Sequence, residues 1–349
     1  HTCVRLDGNR IKCWGYNNYG QLGLGDTVSR GDGPGEMGVN LQHIELGGNH
    51  TAKSIAAGES HTCALLDNNK IKCWGWNDYG QLGQGDTTSR GDGPGEMGDN
   101  LNPINLGENL TATSIVAGEY HTCALFDNNT IKCWGLNDFG QLGLGDTTFR
   151  GDGNGKMGDK LNPINLGKNL TATSIVAGGY HTCALFDNNT IKCWGWNDYG
   201  QLGQGDTHII GGNPDESVAK RDVIVLGGSH TAKSIAAGES HTCALLDNNK
   251  IKCWGQNNKG QLGKGNTENI GDKHEQMGDY LQPIDLDDAN TAKSIVAGFH
   301  HTCALFDNNT IKCWGLNDAG QLGQGNTKNI GDGADEMGEH LLRIDLGKL

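Results

Sequence analysis

The chain has 349 residues, of which 57 are Gly and only 35% are apolar, and it carries a formal charge of −14. An apolar share well under the usual half, with Gly at more than twice its usual frequency, excludes an ordinary multidomain enzyme with thick helical layers and points to many turns and thin sheets. Six Pro and no three-residue Gly period exclude collagen, eight Trp set in regular apolar runs argue against disorder, and no run approaches the twenty apolar residues of a membrane span.

The chain opens on His1 rather than Met and is therefore expected to be a processed product or a fragment, with targeting information outside it. The tripeptide His-Thr-Cys recurs at 1, 61, 121, 181, 241 and 301, so the chain is six copies of one 60-residue unit, short by eleven residues. A period of this size marks a solenoid, a propeller or an array, in which each unit buries its faces against its neighbours. The first copy, 1–53, begins at what is the second strand elsewhere. The others are expected at 54–113, 114–173, 174–233, 234–293 and 294–349, together forming a single repeat domain.

Within 54–113, Ser54-Ile55-Ala56-Ala57-Gly58 reads as a short strand of small residues. His61 to Leu66 and Ile71 to Trp76 read as two more, joined by the turn Asp67-Asn68-Asn69. A polar, Gly-rich loop follows to about Asn100, and Ile104-Asn105-Leu106 is expected as a fourth strand. Four strands per unit with no helical period predict an all-β protein of six four-stranded propeller blades, whose radial stacking lets a modest apolar content suffice. A β-helix is the alternative, disfavoured because its coils are usually much shorter than 60 residues.

The run Ser54-Ile-Ala-Ala-Gly58, His61-Thr-Cys-Ala-Leu65, Asp67, Ile71-Lys-Cys-Trp-Gly75, Asn77, Gly80-Gln-Leu-Gly83 and Gly85-Asp86 resembles the repeat of the regulator of chromosome condensation family, and it recurs along the whole chain. The resemblance implies a β-propeller, commonly seven-bladed in that family. Six units, the first without its opening strand, leave three outcomes: a six-bladed ring with one imperfect blade, part of a seven-bladed ring, or a cut from a longer array.

Cysteine departs from the family pattern. All twelve fall in a C-x9-C spacing, once per unit: Cys3/Cys13, Cys63/Cys73, Cys123/Cys133, Cys183/Cys193, Cys243/Cys253 and Cys303/Cys313. A hairpin turning at Asp67 to Asn69 sets Cys63 opposite Cys73 on one face, where non-hydrogen-bonded neighbours sit about 4.5 Å apart at Cα, within reach of a disulfide. Each bridge would close an eleven-residue loop, for which chain entropy gives about 2.8 kcal/mol. Zinc is the competing use, but His61 with the two cysteines supplies three ligands and no fixed fourth. The family's units carry the His without Cys, which suggests local hydrogen bonding. Six staples with none left over predict an oxidising compartment.

Sequons agree with that expectation. Asn49, Asn109 and Asn169 precede first strands, and Asn128, Asn188 and Asn308 lie on hairpin turns, each two residues before Thr.

A residue present in all six units is explained more economically by the blade than by an active site. This covers His61, Trp74, Lys72, Asn77 and Gln81 with their equivalents: Trp74 is expected in the core, Lys72 in a solvated or stem-buried row. Asp86, Asp92, Glu96 and Asp99 among glycines are candidates for calcium, yet Glu96 becomes Lys156 and Gln276 in other copies. Arg-Gly-Asp occurs at Arg30, Arg90 and Arg150 and would suit receptor binding. No phosphate loop, nucleophile elbow or His-Glu-x-x-His helix is present, and Ser60 before His61 becomes Tyr120 and Tyr180, so no catalytic residues, enzyme activity or cofactor are expected. The chain stops copying itself only between His208 and Val225, making His208, Asp215, Glu216, Lys220 and Arg221 the candidate partner loop.

The expected function is a non-enzymatic extracellular scaffold, stapled and N-glycosylated, on a cell surface, in a matrix or in an appendage. Its partners would be proteins, copies of itself or glycans. A secreted inhibitor or ligand-binding propeller is the alternative, and a guanine-nucleotide exchange factor or chromatin regulator a further one. The charge of −14 opposes nucleic acid.

Overall fold

The computed structural model describes residues 1–287 and 291–347. Apart from short 3₁₀ turns, its regular structure among the described residues is antiparallel β, in one small sheet per repeat. The chain forms two compact units, His1–Leu166 with Gly211–Ser217, and Gly167–Ile210 with Val218–Leu349.

The first unit contains a two-stranded sheet, β1 (Thr2–Arg5) and β2 (Ile11–Trp14), followed by two three-stranded sheets. These are β3 (Ala52–Ala57), β4 (His61–Leu66) and β5 (Ile71–Gly75), then β6 (Ala112–Ala117), β7 (His121–Phe126) and β8 (Ile131–Gly135). The second unit has three such sheets: β9 (Ala172–Ala177) to β11 (Ile191–Gly195) through β10 (His181–Phe186), β12 (Ala232–Ala237) to β14 (Ile251–Gly255) through β13 (His241–Leu246), and β15 (Ala292–Ala297) to β17 (Ile311–Gly315) through β16 (His301–Phe306).

The β4–β5 hairpin turns where the sequence places it. Leu66 N–H donates to the Lys70 carbonyl at 2.8 Å, and Asn69 takes the left-handed φ of 63° that Asn tolerates better than other side-chain-bearing residues. This register pairs Cys63 with Cys73, and a disulfide joins them. The other hairpins repeat the register and the bridge: Cys3 with Cys13, Cys123 with Cys133, Cys183 with Cys193, Cys243 with Cys253, and Cys303 with Cys313. In every pair the Cα atoms are 4.1 Å apart. This is close to the roughly 4.5 Å of non-hydrogen-bonded neighbours, the kind of pair the register sets opposite one another. No free cysteine occurs among the described residues.

The expected fourth strand is a correction. Ile104-Asn105-Leu106 forms no ladder: Ile104 N–H donates to the Ile71 carbonyl at 2.8 Å, the Asn105 and Leu106 carbonyls accept from Gly158 N–H at 3.0 Å and Lys132 Nζ at 2.8 Å, and the preceding Pro103 has no N–H to extend the pairing. The loop side of β5 makes an isolated bridge, Gly75 with Arg90. The first blade is thus two-stranded and the others three-stranded, and in the second copy the first strand begins two residues earlier than Ser54, at Ala52.

Both faces of the inner strands are covered, which is why β4 and β5 read as continuous buried runs. On one face, Cys63, Leu65, Ile71 and Cys73 pack on Ala112, Ile115, Phe126 and Trp134 of the next sheet. Trp74 on the other face packs with Ile11 and Cys13 of the preceding one. The second unit repeats this with Cys243, Leu245 and Cys253 against Ile295, Phe306 and Trp314. Disulfide of one blade against indole of the next is the repeating element of the core.

Candidate functional site

The cysteines belong to the blade interior and not to a surface site. Cys133 on β8, Cys193 on β11 and Cys313 on β17 are buried, as are Cys13, Cys73 and Cys253 on the corresponding strands. Their partners Cys63, Cys123, Cys183 and Cys243 are buried as well, while Cys3 and Cys303 are half-buried. With each sulfur in a disulfide, none supplies the thiolate that a zinc ligand or a nucleophile requires. The grouping of His61 with Cys63 and Cys73 as three zinc ligands is therefore set aside.

The residues common to all copies form a buried polar lattice between neighbouring sheets. His61 Nε2 contacts Thr122 Oγ1 at 2.9 Å, that hydroxyl donates to the Gln81 carbonyl at 2.8 Å, and Trp134 Nε1 donates to the same carbonyl at 3.0 Å. His241, Thr302, Gln261 and Trp314 reproduce the arrangement in the second unit. Burial pushes the His61 imidazole down to about 3, assisted by the charge His121 would carry, so the ring is neutral near neutrality. The expectation of a local hydrogen bond for His61 is corrected: its partner lies 61 residues along the chain.

Of the solvated or stem-buried alternatives for Lys72, the structure has the buried one, and the tip is buried along with the stem: Nζ donates to the Leu46 and Gly98 carbonyls at 2.8 Å each. Desolvation lowers its pKa, opposed by the carboxylate of Asp99. Asn77 is fully buried and holds the following loop: its amide donates to the Asp86 and Thr88 carbonyls, and its Oδ1 accepts from Leu82 N–H. The groups of this lattice present no reactive atom to solvent, although the buried His61 Nδ1 and Gln81 Nε2 have no hydrogen-bond partner among the described residues.

The calcium candidates do not converge. Asp86 pairs with Arg90 at 2.8 Å, while Glu96 Oε2 accepts the backbone N–H of Gly91 and Gly93 at 2.9 Å each. Asp92 has its pKa raised by burial and by its hydrogen bond with Glu96. Gln276 fills the Glu96 position and accepts from Gly271 and Lys273 N–H, so a neutral side chain serves there as well. Lys156 in the same place reaches Asp152 at 2.7 Å. The position is a clasp for the loop backbone. Among the described residues no group of three His, Cys, Asp or Glu side chains could hold a metal. The Arg-Gly-Asp arginines Arg30, Arg90 and Arg150 are each bound to an Asp four residues earlier.

In the divergent stretch, His208 is exposed, with Nδ1 3.4 Å from Asp206. Ile210 replaces the arginine and is buried. Asn213 caps the short turn Pro214–Glu216, accepting from Asp215 and Glu216 N–H at 2.9 and 3.0 Å. Asp215 and Lys220 lie at the surface, and Glu216 and Arg221 are half-buried. The loop is thus internally capped, with the unlike residues facing outward.

All six sequon asparagines are exposed. Asn128 Oδ1 accepts from Thr130 N–H at 3.1 Å and Thr130 Oγ1 at 2.7 Å, an arrangement repeated at Asn188.

One feature escaped the sequence reasoning. In the first unit, aromatic rings form a continuous surface run: Tyr16 against Tyr19 at 6.3 Å between centroids, Tyr19 stacked on Trp76 at 5.2 Å, Trp76 against Tyr120 at 5.1 Å, Tyr120 against Tyr79 at 5.5 Å, and Tyr79 against Phe149 at 5.5 Å. The second unit has a shorter run, Tyr180, Trp196 and Tyr199. The available signal was the aromatic residue following Trp-Gly, together with the Ser60-to-Tyr120 change that served only to dismiss a catalytic serine.

The model of the family described as "Regulator of chromosome condensation (RCC1) repeat" matches residues 11–65, 72–125, 133–185, 193–245 and 252–305. Among curated proteins, the chain is 30% identical to the ultraviolet-B receptor UVR8 of Arabidopsis thaliana over 331 residues, covering 93% of this chain and 65% of that protein. It is 33% identical over 291 residues to the probable E3 ubiquitin-protein ligase HERC4 of Homo sapiens, covering 76% of this chain and 25% of that one. The chain therefore spans less than two thirds of these relatives. Among solved structures, Prp20p of Saccharomyces cerevisiae superposes with a TM-score of 0.69 at 20% identity, covering 99% of this chain and 74% of that one.

Proposed function

Because the chain belongs to the regulator of chromosome condensation repeat family, we propose that it is a non-enzymatic propeller scaffold for protein partners, working outside the cell on a surface, in a matrix or in an appendage. Protein interaction is the use to which this β-propeller fold is suited, and solved relatives are described with Kap60 and with Gsp1p. The observation that carries the extracellular part is the cysteine array. Every blade has one bridge, all twelve cysteines are paired, and reducing compartments do not maintain such a set. Exposed sequons on turns that can accept a glycan support the same compartment. The buried polar lattice supports a scaffold rather than a catalyst, since its groups lie inside the blades, away from solvent.

The test is intact-mass and gel analysis of protein recovered from its native source. Six disulfides with mass lost on glycosidase treatment at Asn128, Asn188 or the other sequons is the expected result. Twelve free thiols and no glycan would remove the extracellular reading and favour an intracellular regulator.

A further inference from the structure

We propose that the surface formed by Tyr16, Tyr19, Trp76, Tyr79, Tyr120 and Phe149 docks an Arg- or Lys-bearing segment of a partner protein. This deepens the scaffold reading and rests on it for the premise that the partner is a protein.

Three observations lead to this occupant. Tyr16 and Tyr19 are 48% and 36% exposed, so the run is open to solvent at that end and presents large aromatic area where a surface ordinarily carries charge. Second, exposed carboxylates flank it, of which Glu59 also faces the His1 ammonium, while Glu119 is buried. The Tyr120 hydroxyl is within hydrogen-bonding reach of the Glu59 and Glu119 carboxylates, Glu59 is exposed, and Asp78 beside Tyr79 is exposed as well. Arg150, next to Phe149 in the chain, is occupied by Asp146 at 2.7 Å. Rings flanked by carboxylates attract cations twice over, through the ring quadrupole and through Coulomb attraction, and a guanidinium can stack on tyrosine while reaching an acid.

Third, the rings are contiguous. Trp76, Tyr79 and Tyr120 contact one another at 5.1–5.5 Å between centroids, with Tyr19 stacked on Trp76 and Phe149 against Tyr79, so a cationic side chain meets one joined aromatic cluster. The second unit keeps only a shorter cluster, Tyr180, Trp196 and Tyr199, and its next repeat has Gln256 and Lys259 at the places of Trp76 and Tyr79, so the larger surface is that of the first unit.

The experiment titrates the full chain by calorimetry with a nine-residue peptide of alternating Arg and Ser, a control with Gln for Arg, and a set of neutral oligosaccharides. Binding of the Arg peptide at least tenfold tighter than the control is expected. Affinity should fall about tenfold in the double variant Tyr16→Ala/Tyr19→Ala, be retained in Tyr19→Phe, and show a shallower salt dependence in Glu59→Gln. Unchanged melting temperatures would separate these effects from misfolding, which the exposure of both tyrosines disfavours. Equal binding of the Gln control, an unaltered affinity in the double variant, or oligosaccharide binding lost in that variant without peptide binding overturns the proposal. Failure here is distinct from failure of the extracellular reading. A bridged, glycosylated chain that ignores the peptide overturns only this surface, and a thiol-rich chain that binds it through Tyr16 and Tyr19 overturns only the compartment.

Discussion

His61 Nε2 lies 2.9 Å from Thr122 Oγ1, on the neighbouring sheet and 61 residues away in the chain. Because the threonine hydroxyl gives its one proton to the Gln81 carbonyl, His61 must be the donor, which fixes its tautomer with the proton on Nε2. Thr122→Val keeps the shape and removes the acceptor, leaving a buried N–H unpaired at a cost of about 1–3 kcal/mol. A thermal melt should show the midpoint lowered by several degrees in Thr122→Val and largely restored in Thr122→Ser. Equal midpoints for all three proteins would mean that the contact contributes nothing.

The same burial predicts acid sensitivity. Desolvation lowers the folded-state pKa of His61 and His241 to about 3 and that of His181 to about 4, against about 6.5 for an exposed imidazole. A depressed pKa means the native state binds fewer protons than the unfolded chain, so this contribution to stability is complete above about pH 6.5 and is lost as pH falls toward 3–4. Melting temperature measured from pH 7.5 to 4 should decline through that window, and less steeply in His61→Gln. A constant offset between variant and parent at every pH would contradict the assignment.

Lys72 and Lys12 occupy equivalent places in successive repeats but differ in surroundings. Lys72 Nζ is buried between two carbonyls, whereas Lys12 reaches only the Gly38 carbonyl in an exposed setting. Lys72→Met should destabilise by about 1–3 kcal/mol by stranding buried carbonyls, and Lys12→Met by no more than about 0.5 kcal/mol. Denaturant midpoints of the two variants test the contrast, which disappears if position rather than burial governs the loss.

Removing one staple should be costly but local. Cys63→Ala/Cys73→Ala releases an eleven-residue loop, a loss of about 2.8 kcal/mol from chain entropy, plus that of the packing the sulfurs make with the next sheet. Reductant should lower the melting midpoint of the parent by more than that of the double variant. Insensitivity of the parent to reductant would show that the bridges add little.

The repeat, the β-hairpins and the cysteine pairing were legible in the sequence, because they depend on local periodicity: a three-residue turn and alternation of side chains fix which cysteine faces which. Trp74 was expected in the core, and the structure has it there, on the face opposite Cys63 and packing with Cys13 of the preceding blade. What local pattern could not supply was who meets whom across blades. Lys72 read as a solvated or stem-buried row, with the two left open, because nothing near it in sequence reveals the Leu46 and Gly98 carbonyls that receive it, and the partner of His61 waits a full repeat away. The fourth strand failed for a related reason: β propensity at Ile104 was real, but a ladder needs a neighbour in register, and the structure gives this segment a single bond to β5, its other carbonyls going to Gly158 and Lys132 of the next repeat. The aromatic surface was hidden in the same way, since Tyr19, Trp76 and Tyr120 come from three different repeats. Sequence determined the blade, whose contacts are near in the chain; tertiary structure decided what the blades bury and expose, because stacking sets residues sixty positions apart side by side.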